Sequence, residues 1–253
     1  MDDAQAYYEH FSLVVGQRDW LRPNQRHARL RRLVDENIEG SGLRLLDVGC
    51  GGGVMTSHLT RYGEVTGTDF SSSAIELARK LVPEAVFHAG RELPEGEFDV
   101  ITLFDVLEHI PRSERPEFIR QLTQQLAARG RIFVSTPYPA FTRDRRLKGD
   151  DTLQIIDEEV ELVDVVAEAA AAGLRLVAYR AYDVFAGSPE YQVMVFMPEQ
   201  PLGHGQPIVL GERRRSRLAP LLWRIRQVTK AVARGDYATA RWLLTARPPD
   251  FRT

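Results

Sequence analysis

Cysteine is nearly absent: Cys50 is the only one in 253 residues. One thiol closes no internal disulfide, which points to a reducing compartment, the cytoplasm. No apolar run approaches the ~20 residues that span a bilayer. The first ten residues, MDDAQAYYEH, are acidic where a secretion signal is basic and then apolar. The glycine-rich stretch DVGCGGG, Asp47 to Gly53, lacks the Lys and Ser or Thr that complete a nucleoside-triphosphate loop; Val54 and Met55 follow it instead. A dinucleotide loop has glycine at its first, third and sixth positions; counted from Gly49 the third is Gly51, but the sixth is Val54. No tyrosine has a lysine four residues on, which removes the Tyr–Lys pair of a short-chain dehydrogenase.

What is present is the composition of an ordinary folded domain: 43% hydrophobic and 27% charged residues. The net charge of −2 conceals an asymmetry, because residues from Glu199 onward carry eleven Lys or Arg against four Asp or Glu, a net of +7, and the first 198 carry −9. The composition changes at the Pro- and Gly-rich MPEQPLGHGQP, which reads as a boundary between a main domain, 1–198, and a basic helical extension, 199–253.

Within the main domain, apolar runs alternate with helical patterns. LRLLDV, VTGTD, AVFH, FDVITLF, RIFVST, LRLVAYRAYDV and YQVMVFM read as seven strands. VMTSHLTRY, SSAIELARKL, ERPEFIRQLTQQLAA and DEEVELVDVVAEAAAAG read as helices, the second opened by serine and the third closed at Arg129–Gly130. This alternation predicts an α/β fold with a doubly wound, mainly parallel seven-stranded sheet, preceded by N-terminal helices. Ligands of such sheets bind beyond the carboxyl ends of the strands, where the glycine loop falls.

Asp47 stands two residues before the first glycine of the loop, where it would repel a phosphate and attract a cation. Asp69 ends the second strand twenty residues after Gly49, the spacing that sets a carboxylate against ribose hydroxyls. A ligand with a ribose, a positive charge and no phosphate fits, and S-adenosylmethionine has all three properties.

The stretches LLDVGCGGGVMTSHLTRYGEVTGTDFSSSAIELARK, FDVITLFDVLEHIP and RGRIFVSTP resemble the successive motifs of class I S-adenosylmethionine-dependent methyltransferases, and DVLEHI is similar to the quinone O-methyltransferase-like small-molecule groups. The resemblance runs from Arg29 to Pro137 and implies the Rossmann-like methyltransferase fold. It implies that the loop of Gly49, Cys50 and Gly51 passes the methionine part of the cofactor, with Asp47 beside it. Asp69 would then hold the ribose, Phe70 would flank the adenine, and Phe104 and Asp105 would line the methyl end. Arg29 matches an arginine near the cofactor carboxylate. The acid that commonly meets the adenine amino group after the third strand is replaced by Ala89.

His109, just past the fourth strand, is the candidate general base. Methyl transfer is mostly positioning, but a hydroxyl acceptor also loses a proton, which a histidine of ordinary pKa (~6.5) takes near neutral pH. Its alternative is a hydrogen bond to the turn at Ile110–Pro111, and Glu108 is placed to orient it. Tyr7 and Tyr8, in an aromatic N-terminal segment (1–40), read as an acceptor lid or as a docking face, and Tyr138 lies at the crevice end of the fifth strand. The acids Asp150, Asp151, Asp157, Glu158 and Glu159 suggest a metal, but DEE also suits the start of a helix, and no metal is expected. Cys50 reads as packing. The extension GERRRSRLAPLLWRIRQVTKAVARGDYATARWLL is amphipathic and basic, suited to an anionic membrane surface or to docking on protein, including a second subunit. Nucleic-acid methylation has only this basic charge for it. The reading is transfer to a hydroxyl of a phenol, quinol or sugar; transfer to an amine and a non-catalytic cofactor-binding partner are the alternatives.

Overall fold

In a computed structural model of the chain, the residues described are 19, 25–149, 157–184 and 187–199. They belong to the first of two compact units, Met1–Pro201 and Leu202–Thr253. The second unit, with the amphipathic basic stretch, lies outside the described residues, as do Tyr7, Tyr8, Asp150 and Asp151.

Seven strands form one sheet: β1 (Leu43–Val48), β2 (Gly63–Asp69), β3 (Val86–Ala89), β4 (Phe98–Phe104), β5 (Leu126–Pro137), β6 (Leu174–Tyr182) and β7 (Tyr191–Pro198). Their order is β3-β2-β1-β4-β5-β7-β6. The pairings among β1 to β5 are parallel, and β7 runs antiparallel to both β5 and β6. The order reverses at β1, so the loops after β1 and β4 face each other across the crevice.

Alternation along the strands sends side chains to two cores. On one face Leu46, Ile101, Leu103, Ile132 and Val134 pack with Ile119 and Leu122 of α4 (Arg115–Gln124) and Val165 and Ala169 of α6 (Leu162–Ala171). On the other, Leu45, Val100 and Phe133 pack with Leu30, Leu33 and Val34 of α1 (Gln25–Asn37). Both faces are covered, which is why β1 and β4 read as near-continuous apolar runs. Helix α3 (Ser72–Leu81) begins where the serine predicts: Ser71 Oγ accepts a 3.2 Å hydrogen bond from the Ala74 amide. Asp99 fastens the entry of β4 by accepting the Arg44 amide at 2.9 Å.

Three helices differ from their patterns. VMTSHLTRY contributes only the single turn α2 (Thr56–Leu59), with turns after it. The helix from Glu114 stops at Gln124, because Leu126 pairs with Phe98 at the start of β5 and is buried there. Arg129–Gly130 therefore lies inside β5 and is no helix stop. DEE does not open a helix: α6 begins at Leu162, and Glu158 ahead of it donates its amide to the Glu108 carbonyl at 2.8 Å. A further helix, α5 (Pro139–Leu147), starts with proline at its first position, where the missing N–H costs nothing.

Candidate active site

The glycine loop leaves β1 with Gly49 at φ 67° and Gly51 at φ 51°, left-handed values that side chains disfavour. A Cβ on Gly49 would lie 2.4 Å from Val106 Cγ2, so the loops after β1 and β4 touch there. A Cβ on Gly51 would meet nothing within 4 Å. Protein packing therefore does not explain the bareness of Gly51, which leaves open space on a backbone that a ligand can approach. Cys50 turns its side chain into a small core with Ile75, Ala78, Val82 and Phe87, and burial and the nearby Asp47 and Asp69 push its thiol pKa well up. It is an inert packing residue whose backbone serves the loop.

Asp47 is 2% exposed. Thr56 donates its hydroxyl to one carboxylate oxygen at 2.6 Å, and Thr102 donates to the other at 2.7 Å. Burial pushes this acid up to about 6; the two hydroxyls oppose the shift and Asp69 adds to it. Asp69 accepts the Gly51 amide and the Ser71 amide, each at 2.9 Å, so it braces the loop and the start of α3 together. Phe70 follows, half-buried. The two acids thus stand on either side of the bare loop, the arrangement their spacing predicts.

Helix α1 carries two arginines to consider, Arg29 and Arg26. Arg29 is half-buried and makes no hydrogen bond or ion pair to the described residues. Arg26, one turn earlier, is ion-paired with Asp105 and lies 5.6 Å from the centre of the Tyr191 ring. Asp105 itself holds φ 58°, and its amide donates to the Ser135 carbonyl at 2.9 Å. Phe104, just before it, packs against the core beneath α1.

Beyond Asp105 a single 3-10 turn, Leu107–His109, carries the next candidates. The partner of His109 is not Glu108. His109 Nδ1 lies 3.7 Å from a carboxylate oxygen of Asp157, in the irregular segment that precedes α6. Glu108 turns inward, is 2% exposed, and leaves Oε2 without a hydrogen bond. Burial pushes it up to about 8, and Asp157 adds to the rise while Arg26 opposes it. Adjacent residues of a 3-10 turn point in different directions, so Glu108 cannot reach round to orient its neighbour.

Tyr138 sits at the start of α5, with its amide donating to the Glu190 carbonyl at 2.8 Å. A deeper pair was not anticipated: the Tyr182 hydroxyl lies 3.1 Å from Ser135 Oγ and its ring stacks on Tyr191 at 5.8 Å. A cleft of about 560 Å³ opens beside the 3-10 turn, its wall including Asp157, Glu158, Arg112 and Arg146. Glu159 is held by Arg143 at 2.8 Å and Arg146 at 2.7 Å. Thr102 had a signal in the sequence, as the polar residue inside the apolar run of β4. Arg26 had none, and Asp157 stood out only as one acid of a possible metal cluster, because only the tertiary fold brings them to the crevice.

A glycine loop between two acids, at the switch point of a sheet in this order, defines a class I S-adenosylmethionine-dependent methyltransferase. The chain belongs to the methyltransferase-domain family, whose model matches residues 23–175. It is 34% identical over 113 residues to a ubiquinone biosynthesis O-methyltransferase of Aromatoleum aromaticum, which covers 41% of this chain and 47% of that protein. To the protein of that name from Nitrosococcus oceani it is 37% identical over 106 residues, covering 38% and 44%. The chain thus spans less than half the length of these relatives. Among solved structures it resembles a TehB-like S-adenosylmethionine-dependent methyltransferase of Corynebacterium glutamicum (TM-score 0.53, 24% identity, 67% of this chain and 86% of that one). It also resembles magnesium protoporphyrin IX methyltransferase of Synechocystis with bound S-adenosylhomocysteine (TM-score 0.57, 17% identity, 74% and 86%). These likenesses concern the fold.

Proposed function

We propose that the protein transfers a methyl group from S-adenosylmethionine to a hydroxyl of a small polar acceptor: a phenol, a quinol or a sugar. The observation that carries this reading is the His109–Asp157 pair, 3.7 Å apart at the crevice end of β4, beside a polar cleft of about 560 Å³. That volume suits a small molecule. The relatives named as O-methyltransferases support an oxygen acceptor through the stretch they share with this chain.

The cofactor supplies an electrophilic methyl on a sulfonium. Arg29, Asp47 and the backbone of Gly49, Cys50 and Gly51 hold its methionine end. Asp69 receives the ribose hydroxyls, Phe70 covers the adenine, and Phe104 and Asp105 shape the methyl end, with Arg26 keeping Asp105 in place. Tyr138, Tyr7 and Tyr8 are the acceptor-binding tyrosines of this reading. His109 takes the acceptor's hydroxyl proton on Nε2 while Asp157 faces Nδ1 and stabilises the imidazolium. The single buried thiol supports a cytoplasmic setting.

The test is a panel of phenols, quinols, sugars and amines, scored by S-adenosylhomocysteine release. On a good hydroxyl acceptor His109→Ala should lose about 10²- to 10⁴-fold in kcat. Unchanged turnover overturns the base role. The cleft's carboxylates, Asp157 and Glu158 among them, also suit an amine-bearing acceptor. Turnover confined to the amines would make the protein an N-methyltransferase, and cofactor binding without turnover of any acceptor would make it a binding partner.

A further inference from the structure

Asp47 is a buried carboxylate in a setting that gives it no positive neighbour among the described residues. Its two oxygens receive uncharged hydroxyls, and all three side chains are hidden, with Thr56 and Thr102 at 0% and Asp47 at 2% exposure. The threonines come from different elements. Thr56 is the first residue of α2, just past the glycine loop, and Thr102 is the register partner of Asp47 across β1 and β4. The titratable groups acting on this carboxylate are Asp69, from the end of β2, and the loop's own Cys50, and neither brings a positive charge. A buried charge normally has an opposite charge or several donors. Here there are donors enough to aim the carboxylate and too little positive charge to neutralise it. The methyl donor carries a sulfonium; its product has a neutral sulfur.

We propose that Thr56 and Thr102 are positioning residues that hold Asp47 as an aimed, ionised carboxylate, so that the glycine-loop site prefers the positively charged methyl donor over its uncharged-sulfur product. The inference rests on the placement of the cofactor proposed above. Hydroxyl donation to both oxygens favours the ionised form, and a charge fixed in a low-dielectric site distinguishes ligands that differ by one charge. After transfer the preference disappears with the sulfonium, which favours release of the product.

The test is calorimetric affinity for S-adenosylmethionine and for S-adenosylhomocysteine between pH 5 and 8.5, with thermal melts alongside. In the wild type the preference for the charged ligand should fall as pH drops through about 6. Thr102→Val should lose roughly tenfold in affinity for S-adenosylmethionine, less for the product, with the pH midpoint displaced upward by about one unit. Thr102→Ser should restore both. A Thr102→Val protein that melts like the wild type but weakens both ligands equally, or neither, overturns the proposal. If Thr102→Val does not fold, Thr56→Val reads the same ratio with the same two outcomes. Asp69→Ala separates the two layers of the argument. Undiminished S-adenosylmethionine affinity in that variant refutes the cofactor placement, whereas weakened affinity there with unchanged ratios in the threonine variants refutes the threonine role alone.

Discussion

The two inward-facing acids of the crevice set how this protein responds to pH. Asp47 has a folded-state pKa of about 6, above the ordinary 3.8. Its proton is therefore bound more tightly in the folded state. The stabilisation is complete below about pH 4 and is lost as pH rises through about 6. At neutral pH the ionised carboxylate opposes folding, and removing its charge should relieve that. Asp47→Asn is expected to gain on the order of 2–3 kcal/mol at pH 8, with the gain vanishing towards pH 4, while S-adenosylmethionine binds more weakly. Denaturant titrations at both pH values check it. Glu108, raised to about 8, obeys the same sign at higher pH. The wild-type Tm should fall as pH climbs from about 4.5 to about 8, and Glu108→Gln, which keeps the shape without the charge, should flatten that fall. A Tm that declines equally in both proteins would show that Glu108 ionises elsewhere in the pH range. At this scale the sequence was informative where a residue's role depends on spacing along the chain. Asp47, Gly49, Gly51 and Asp69 fall together as expected. Arg26 escapes a reading along the chain, and the place expected for Glu108 beside His109 belongs to Asp157, because a one-dimensional pattern does not say which way successive side chains of a turn point.

Among elements, buried strands were the most legible, since β1 and β4 are covered on both faces and their apolar runs have few competing explanations. Helix α3 was equally plain, with a serine cap and an amphipathic pattern in agreement. The misjudged ends occur where a local helical pattern meets a stronger tertiary demand. Leu126 completes the apolar stripe of α4 in sequence, yet it pairs with Phe98 and is 8% exposed in the sheet. Glu158 and Glu159 resemble a helix start, yet the Glu108 carbonyl and two arginines claim them. Packing rather than propensity holds α4, so its deepest contact should be costly to remove. Leu122 is 1% exposed against the sheet, and Leu122→Ala should destabilise the protein by about 2–5 kcal/mol. Because α4 lies away from the glycine loop, the affinity for S-adenosylmethionine should remain within about twofold of the wild type at a temperature where both proteins are folded. A larger loss would mean that α4 supports the loop through the sheet.

For the whole molecule, the sheet and its two main cores, among the described residues, end by Pro198. A chain ending at Pro201 should therefore keep the cooperative melt and the cofactor affinity of the full protein, as differential scanning calorimetry and calorimetric binding would show. Loss of either would assign the basic stretch a share of the fold. The direction of the last strand adds a consequence for that stretch. Tyr191, at the start of β7, pairs with Pro137 at the crevice end, and Pro198, at its finish, pairs with Leu174 at the other end of the sheet. An antiparallel final strand thus carries the chain away from the chemistry: over its 8 residues it retreats roughly 23 Å from the crevice. Glu199, the last described residue, thus lies one step beyond that far rim, at the opposite end of the sheet from the glycine loop.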